Sequence, residues 1–95
     1  MRVIKSFADK RTEVAFSGTF DKGFPQDIQK RARRKLEMLN AATVLDDLRN
    51  PPGNRLHALT GDFAGFYAIS INDQWRVIFR WNGQDATDVE ILDYH

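Results

Sequence analysis

The segment Asn50–Asn54, NPPGN, divides the chain into two halves of different character. Consecutive prolines do not continue a helix, and the flanking asparagines and glycine favour turns. After it come four strand-like runs, RLHAL, FYAISI, WRVIFRW and DVEILDY, separated by TGDFAG, NDQ and NGQDA. ND and NG are hairpin turn chemistry, so the four runs are expected to form an antiparallel meander. Alternation along WRVIFRW puts Trp75, Val77, Phe79 and Trp81 on one face and Arg76, Ile78 and Arg80 on the other.

Before NPPGN the pattern is mainly helical. VIKSF, Val3 to Phe7, is a short first strand, bounded by the turn-prone ADK. KRTEVAFSG then supports two helical turns, with Val14 and Phe16 apolar and Gly18 as the stop. TFDKGF is a loop. A second helix is expected to begin at Pro25, because proline at the first helical position gives up only an N–H that has no partner there. Ile28, Ala32, Leu36 and Leu39 recur at helical spacing as its buried stripe, and TVLDDLRN adds a further turn or two. The expected architecture is α+β: β-α-α, then a four-stranded antiparallel meander, with the helices packed on one face and the arginines on the other. Residues 1–95 form one domain, since 95 residues leave no room for a second.

Composition narrows the chemistry. The absence of cysteine excludes a disulfide framework, thiol catalysis and thiolate metal sites. No stretch reaches the length of a signal peptide's apolar run or of a membrane span, so a cytoplasmic protein without a membrane partner is expected. Formal net charge is +1, yet KRARRK between Lys30 and Lys35 holds five bases and no acid. Such a face either contacts phosphates or is the solvated side of a helix, and Lys30, Arg31, Arg34 and Lys35 suit both.

The two histidines are His57, on the first strand of the meander, and His95, at the end of the last. Both titrate near neutrality and suit a proton acceptor and donor, or else are plain surface residues. Negative charge beside His95, from Asp93 and the terminal carboxylate, favours its imidazolium form. Arg76 and Arg80 present planar paired donors suited to a phosphodiester, or pair with Asp88, Glu90 or Asp93 on the neighbouring strand. Tyr67 and Phe66 are candidates for stacking on bases, with Tyr67 partly buried, and Tyr94 is the better placed of the aromatics. No phosphate loop, nucleophile elbow or paired-metal carboxylate motif is present; Asp46 and Asp47 point in different directions. A basic helix, strand arginines, aromatics and two histidines converge on RNA. Its 2′-hydroxyl is an internal nucleophile, so histidine acid–base cleavage needs neither metal nor cofactor.

The segments VIKSF, PPGNRLHAL, NDQWR and the terminal DYH occur in an order that closely resembles the plasmid-maintenance killer toxins, the HigB type within the RelE superfamily. The resemblance covers essentially the whole chain. It implies a RelE-like fold and a toxin of a type II toxin–antitoxin system that cleaves messenger RNA in the ribosomal decoding site and stops translation. The implied partners are messenger RNA on the ribosome and a helix-turn-helix, HigA-like antitoxin encoded next to the toxin. Position by position, it implies a catalytic surface of His57, Arg76, Asp93, Tyr94 and His95. His95 is expected as general base and His57 as acid or phosphate contact; Arg76 neutralises the phosphate, Tyr94 orients the RNA and Asp93 holds His95 or a nucleotide. Arg80, Lys30, Arg31, Arg34 and Lys35 are the expected RNA contacts. The chain departs from family members with basic residues after the first meander strand, having Thr60, Asp62 and Phe63 there. The alternative is a non-catalytic module of the same fold that binds RNA, the ribosome or an antitoxin.

Overall fold

The computed structural model describes residues 3–19 and 23–93. Helix α1, Lys10–Phe16, starts where Asp9 Oδ1 accepts the Thr12 N–H at 2.9 Å, satisfying one of the donors that a helix leaves open at its first turn. It ends at Gly18, whose φ of +103° is a conformation that a side chain would resist. Helix α2, Gln26–Ala41, begins one residue later than expected: Pro25 has ψ 139° and is the flanking residue, not the first helical one. Its stripe is as the spacing predicts, with Ile28, Ala32, Leu36 and Leu39 buried.

The strands are β1, His57–Ala58, β2, Tyr67–Ser70, β3, Trp75–Asn82, and β4, Asp85–Asp93. They pair antiparallel in the order β1-β2-β3-β4. RLHAL contributes only two residues of ladder, because Arg55 sits in the left-handed region at φ 50° and turns the chain just before His57. VIKSF lies beside β4 and parallel to it, but forms two separate bridges, Ile4 with Ala86 and Phe7 with Val89, in place of a continuous strand. The interruption has a local cause. Asp88 has φ 52° at an irregularity in β4, and its N–H is taken by Ser6 Oγ at 2.9 Å. Asn40, near the end of α2, accepts the Val3 and Ile4 N–H groups at 3.1 Å each and ties the segment to the helix.

Both helices pack on one sheet face. The stripe of α2 meets Ile69, Ile71, Trp75, Val77, Phe79, Val89 and Ile91, with Phe24 edge-on to Trp75 at 5.6 Å. Each large aliphatic side chain buried there contributes about 1.5–3 kcal/mol. Tyr67 belongs to this side, stacked on Phe79 at 6.2 Å. TVLDDLRN folds as a 3-10 helix, Leu45–Arg49. Asp47 accepts the Thr43 and Val44 N–H groups, whereas Asp46 turns to Arg49 at 2.9 Å, so the two carboxylates do diverge. NPPGN makes a second 3-10 turn, Pro52–Asn54, and ends on a fully buried asparagine.

Candidate functional site

Directly paired residues on neighbouring strands share a face, so the register maps the side of the sheet away from the helices. One row across it is His57, Ala68, Ile78 and Glu90; the next is Ser70, Arg76 and Leu92. Ala68 and Ile78 are buried here although they stand apart from the helix-covered core. Apolar floor and polar walls therefore alternate.

Arg76 leans from β3 over β2, where its Nη1 donates to Ser70 Oγ at 3.0 Å. The Ser70 hydroxyl in turn donates to the Asn72 carbonyl at 3.0 Å. Asn72 Oδ1 accepts the N–H groups of Gln74 and Trp75, at 2.9 and 2.7 Å, and so shapes the turn that brings β3 back onto β2. This chain of bonds fixes the guanidinium relative to the hairpin.

Beside Ser70 opens a cavity of about 300 Å³ lined by Arg31, Arg34 and Lys35 from α2, by Arg55, and by Asn72 and Asp73 of the turn. Among the described residues none of these four bases forms an ion pair. Lys35 donates to Asn54 Oδ1, while Asn54 Nδ2 donates to the Leu48 and Asn50 carbonyls, so the amide locks the helix base to the NPPGN turn. Burial, and then the positive charges of Arg31 and Arg34, hold the Lys35 pKa below its ordinary value. An anion entering the cavity would relieve that repulsion. Lys30 diverges from this group: it lines a second groove with Gln26, Gln29 and Arg33, bordered also by Arg34, and Arg33 pairs with Glu37 at 3.8 Å.

His57 is exposed on β1. Its Nδ1 lies 2.8 Å from the Arg55 carbonyl, which only accepts, so the proton sits on Nδ1; among the described residues Nε2 makes no hydrogen bond. Ala68, the partner of His57, and Ser70, the partner of Arg76, are two residues apart on β2, roughly 7 Å. Arg80 lies further along β3, paired with Asp88 at 3.4 Å, both side chains half-exposed, and with its guanidinium 4.5 Å from the centre of the Phe66 ring. The ion-pair alternative thus holds for Arg80.

Asp93 pairs with Trp75, so alternation points it to the side opposite Arg76, where it accepts from Gln74 Nε2 at 3.2 Å. Tyr94 and His95 lie outside the described residues. Ser70, Arg55, Asn72 and Glu90 belong to the surface without having been singled out as site residues. Register counted back from the NDQ turn would have found Ser70. Burial, and then the charge of Asp9, raise the Glu90 pKa, with Arg11 opposing.

Residues 5–95 match the family model described as HigB-like toxin, the RelE-like toxin of type II toxin–antitoxin system HigB. The chain is 31% identical over 98% of its length to all of a protein named Endoribonuclease HigB from Proteus vulgaris. It is 47% identical over 57 residues to Toxin HigB-1 of Vibrio cholerae, a match spanning 60% of each chain. Two crystal structures of YafQ from E. coli, one of them a point mutant, are similar in fold, with TM-scores of 0.61 and 0.63 at 15% and 14% identity. Each comparison covers 98% of this chain and 93% of the other. No helix among the described residues is long and apolar enough to cross a membrane.

Proposed function

Because this chain belongs to the HigB-like family of RelE-like toxins of type II toxin–antitoxin systems, we propose that it is an endoribonuclease that cuts messenger RNA in the decoding site of the ribosome. The cut proceeds by attack of the 2′-hydroxyl on the adjacent phosphorus without a metal, and translation stops. A helix-turn-helix antitoxin of the HigA kind, encoded beside it, holds it silent.

The observation that supports this reading best is Arg76, on the same sheet face as His57 and tethered to Ser70, which lines a cavity that also holds four bases. Planar donors fixed beside a phosphorus stabilise the extra charge of the pentacoordinate phosphate without reorganising during the reaction. The cavity suits a neighbouring phosphate of the same strand. His57, whose Nε2 makes no hydrogen bond among the described residues, either donates to a phosphate oxygen once protonated or supplies the proton to the 5′-oxygen leaving group. His95 is assigned as general base and Tyr94 as the group that orients the RNA. Asp93, on the far face, acts through position: its bond with Gln74 fixes the end of β4, from which those two residues continue.

The test is primer extension on a defined messenger bound to ribosomes, with naked RNA and chelator as parallel conditions. Wild type, Arg76→Ala and His95→Gln are compared. The expected result is new 5′ ends on ribosomes only, unaffected by chelator and much weaker in both variants. Intact messenger from wild-type protein that still binds ribosomes would favour the non-catalytic module instead.

A further inference from the structure

The mechanism leaves an exposed aromatic ring unused. Phe63, 37% exposed, ends the short 3-10 turn Gly61–Phe63 between β1 and β2. A single apolar side chain on a surface ordinarily needs no explanation, but this one is held in place. The Phe63 N–H donates to the Thr60 carbonyl at 3.3 Å and its own carbonyl accepts the Phe66 N–H at 3.0 Å. The Leu59 N–H donates to the Phe66 carbonyl at 2.8 Å, which closes the loop onto β2.

The Phe63 ring stands perpendicular to Phe66 at 5.9 Å, and the Arg80 guanidinium lies over Phe66 at 4.5 Å. Gly65, at φ +95°, lets the loop pass close to Arg80: a Cβ there would come within 3.3 Å of Arg80 Nη1. The result is an ordered aromatic open to solvent, one ring away from Arg80, whose guanidinium also pairs with Asp88 at 3.4 Å and would exchange that half-exposed partner for a phosphate. By alternation Phe66 extends the row of Ala68 and Ser70. Phe63 and Arg80 therefore flank the surface that carries His57 and Arg76. Arg80 is four residues from Arg76 on β3, roughly 13 Å.

We infer that Phe63 is a stacking platform for one unpaired nucleobase of the RNA substrate, with Arg80 taking the phosphate beside it. Single-stranded RNA is held in this way, by bases splayed onto aromatic faces while guanidinium groups follow the backbone. Every base has such a face, so the platform contributes affinity and places the strand; it does not read base identity. The inference rests on the proposed ribonuclease reading, in that the bound strand is the one to be cut.

The experiment measures binding separately from cutting. Ribosomes carry a messenger whose nucleotides around the decoding site are 2′-O-methylated, so that it stays intact. Affinity is measured for wild type, Phe63→Ala and Phe63→Trp, on this messenger and on versions with one base at a time removed. The expected result is roughly 5- to 150-fold weaker binding by Phe63→Ala and near-wild-type binding by Phe63→Trp. At one abasic position the wild type falls to the level of Phe63→Ala, and the substitution then has no further effect. Unchanged affinity of a folded Phe63→Ala overturns the platform, as does a loss that adds to every abasic change. Weakened capture of an antitoxin with unchanged affinity for the messenger also overturns it and assigns Phe63 to a protein contact. Cleavage of the unmodified messenger, followed alongside, reports on the ribonuclease reading alone: its absence, with stacking intact, rejects that reading and not the platform.

Discussion

Replacing Ser70 with alanine removes a hydroxyl and little else, because the residue is buried and alanine keeps its Cβ. What is lost is the acceptor for Arg76 Nη1 at 3.0 Å and the donor to the Asn72 carbonyl. A hydrogen bond to a charged group contributes about 1.5–3 kcal/mol. If that energy serves to hold the guanidinium where the phosphate arrives, the maximal cleavage rate of Ser70→Ala falls roughly 10- to 150-fold. Half-saturation on programmed ribosomes changes less, since the cavity bases stay in place. The decisive assay is a cycle with Arg76→Ala, read as single-turnover cleavage of ribosome-bound messenger. Once the guanidinium is gone its tether has nothing to hold, so Ser70→Ala on the Arg76→Ala background costs little more. Independent, multiplying losses in the two variants would refute the reasoning and leave Ser70 as part of the turn only.

Arg55→Ala and Arg34→Ala should each weaken association with programmed ribosomes and lower the slope of log affinity against log salt by about one unit; an unchanged slope would place these bases outside the RNA path. Leu36→Ala, at the centre of the α2 stripe and fully buried, should cost about 2–5 kcal/mol in denaturant unfolding; a loss under 1 kcal/mol would mean the helix is not packed as described. Glu90 has its folded-state pKa raised above 4.5 by burial and by Asp9. The folded protein therefore holds that proton more tightly than the unfolded chain, which favours folding at low pH and fades as pH rises from about 4.5 through the higher folded value. Glu90→Gln should gain stability at pH 7 relative to wild type, and the gain should shrink below pH 4.5 in urea melts. A gain that does not vary with pH would point to packing instead.

The periodic features were legible because each depends on neighbours a few residues away. The Ile28, Ala32, Leu36, Leu39 stripe and the alternation of Trp75, Val77 and Phe79 against Arg76 and Ile78 need only the helical and strand repeats. What was not legible depends on distant partners or on backbone sign. The four-base cavity exists because Lys35 and Asn54, 19 residues apart, bond to each other, and because Arg55 adopts a left-handed conformation. The parallel pairing of VIKSF is broken into bridges by the positive φ of Asp88, which composition does not announce. The run DYH does not reveal that Asp93 pairs with Trp75, a register that puts it on the far side of the sheet from Arg76.

The arrangement gains its logic from β2, which is only four residues long yet is paired on both sides. Its inward side chains, Tyr67 and Ile69, are fixed in the core, and the outward row of Phe66, Ala68 and Ser70 inherits that rigidity. At the Ser70 end lies the basic cavity and at the Phe66 end lie Arg80 and the open ring of Phe63, with His57 and Arg76 between. On the proposed reading an RNA strand would run along this row, with phosphates held at both ends and one base stacked. Positioning would then come from a rigid scaffold, and the substrate would be strained toward in-line attack by being held on both sides of the cut. Loss of either end should therefore lower the rate at saturation as well as the affinity, whereas loss of a base that merely steers association should be rescued fully by more protein.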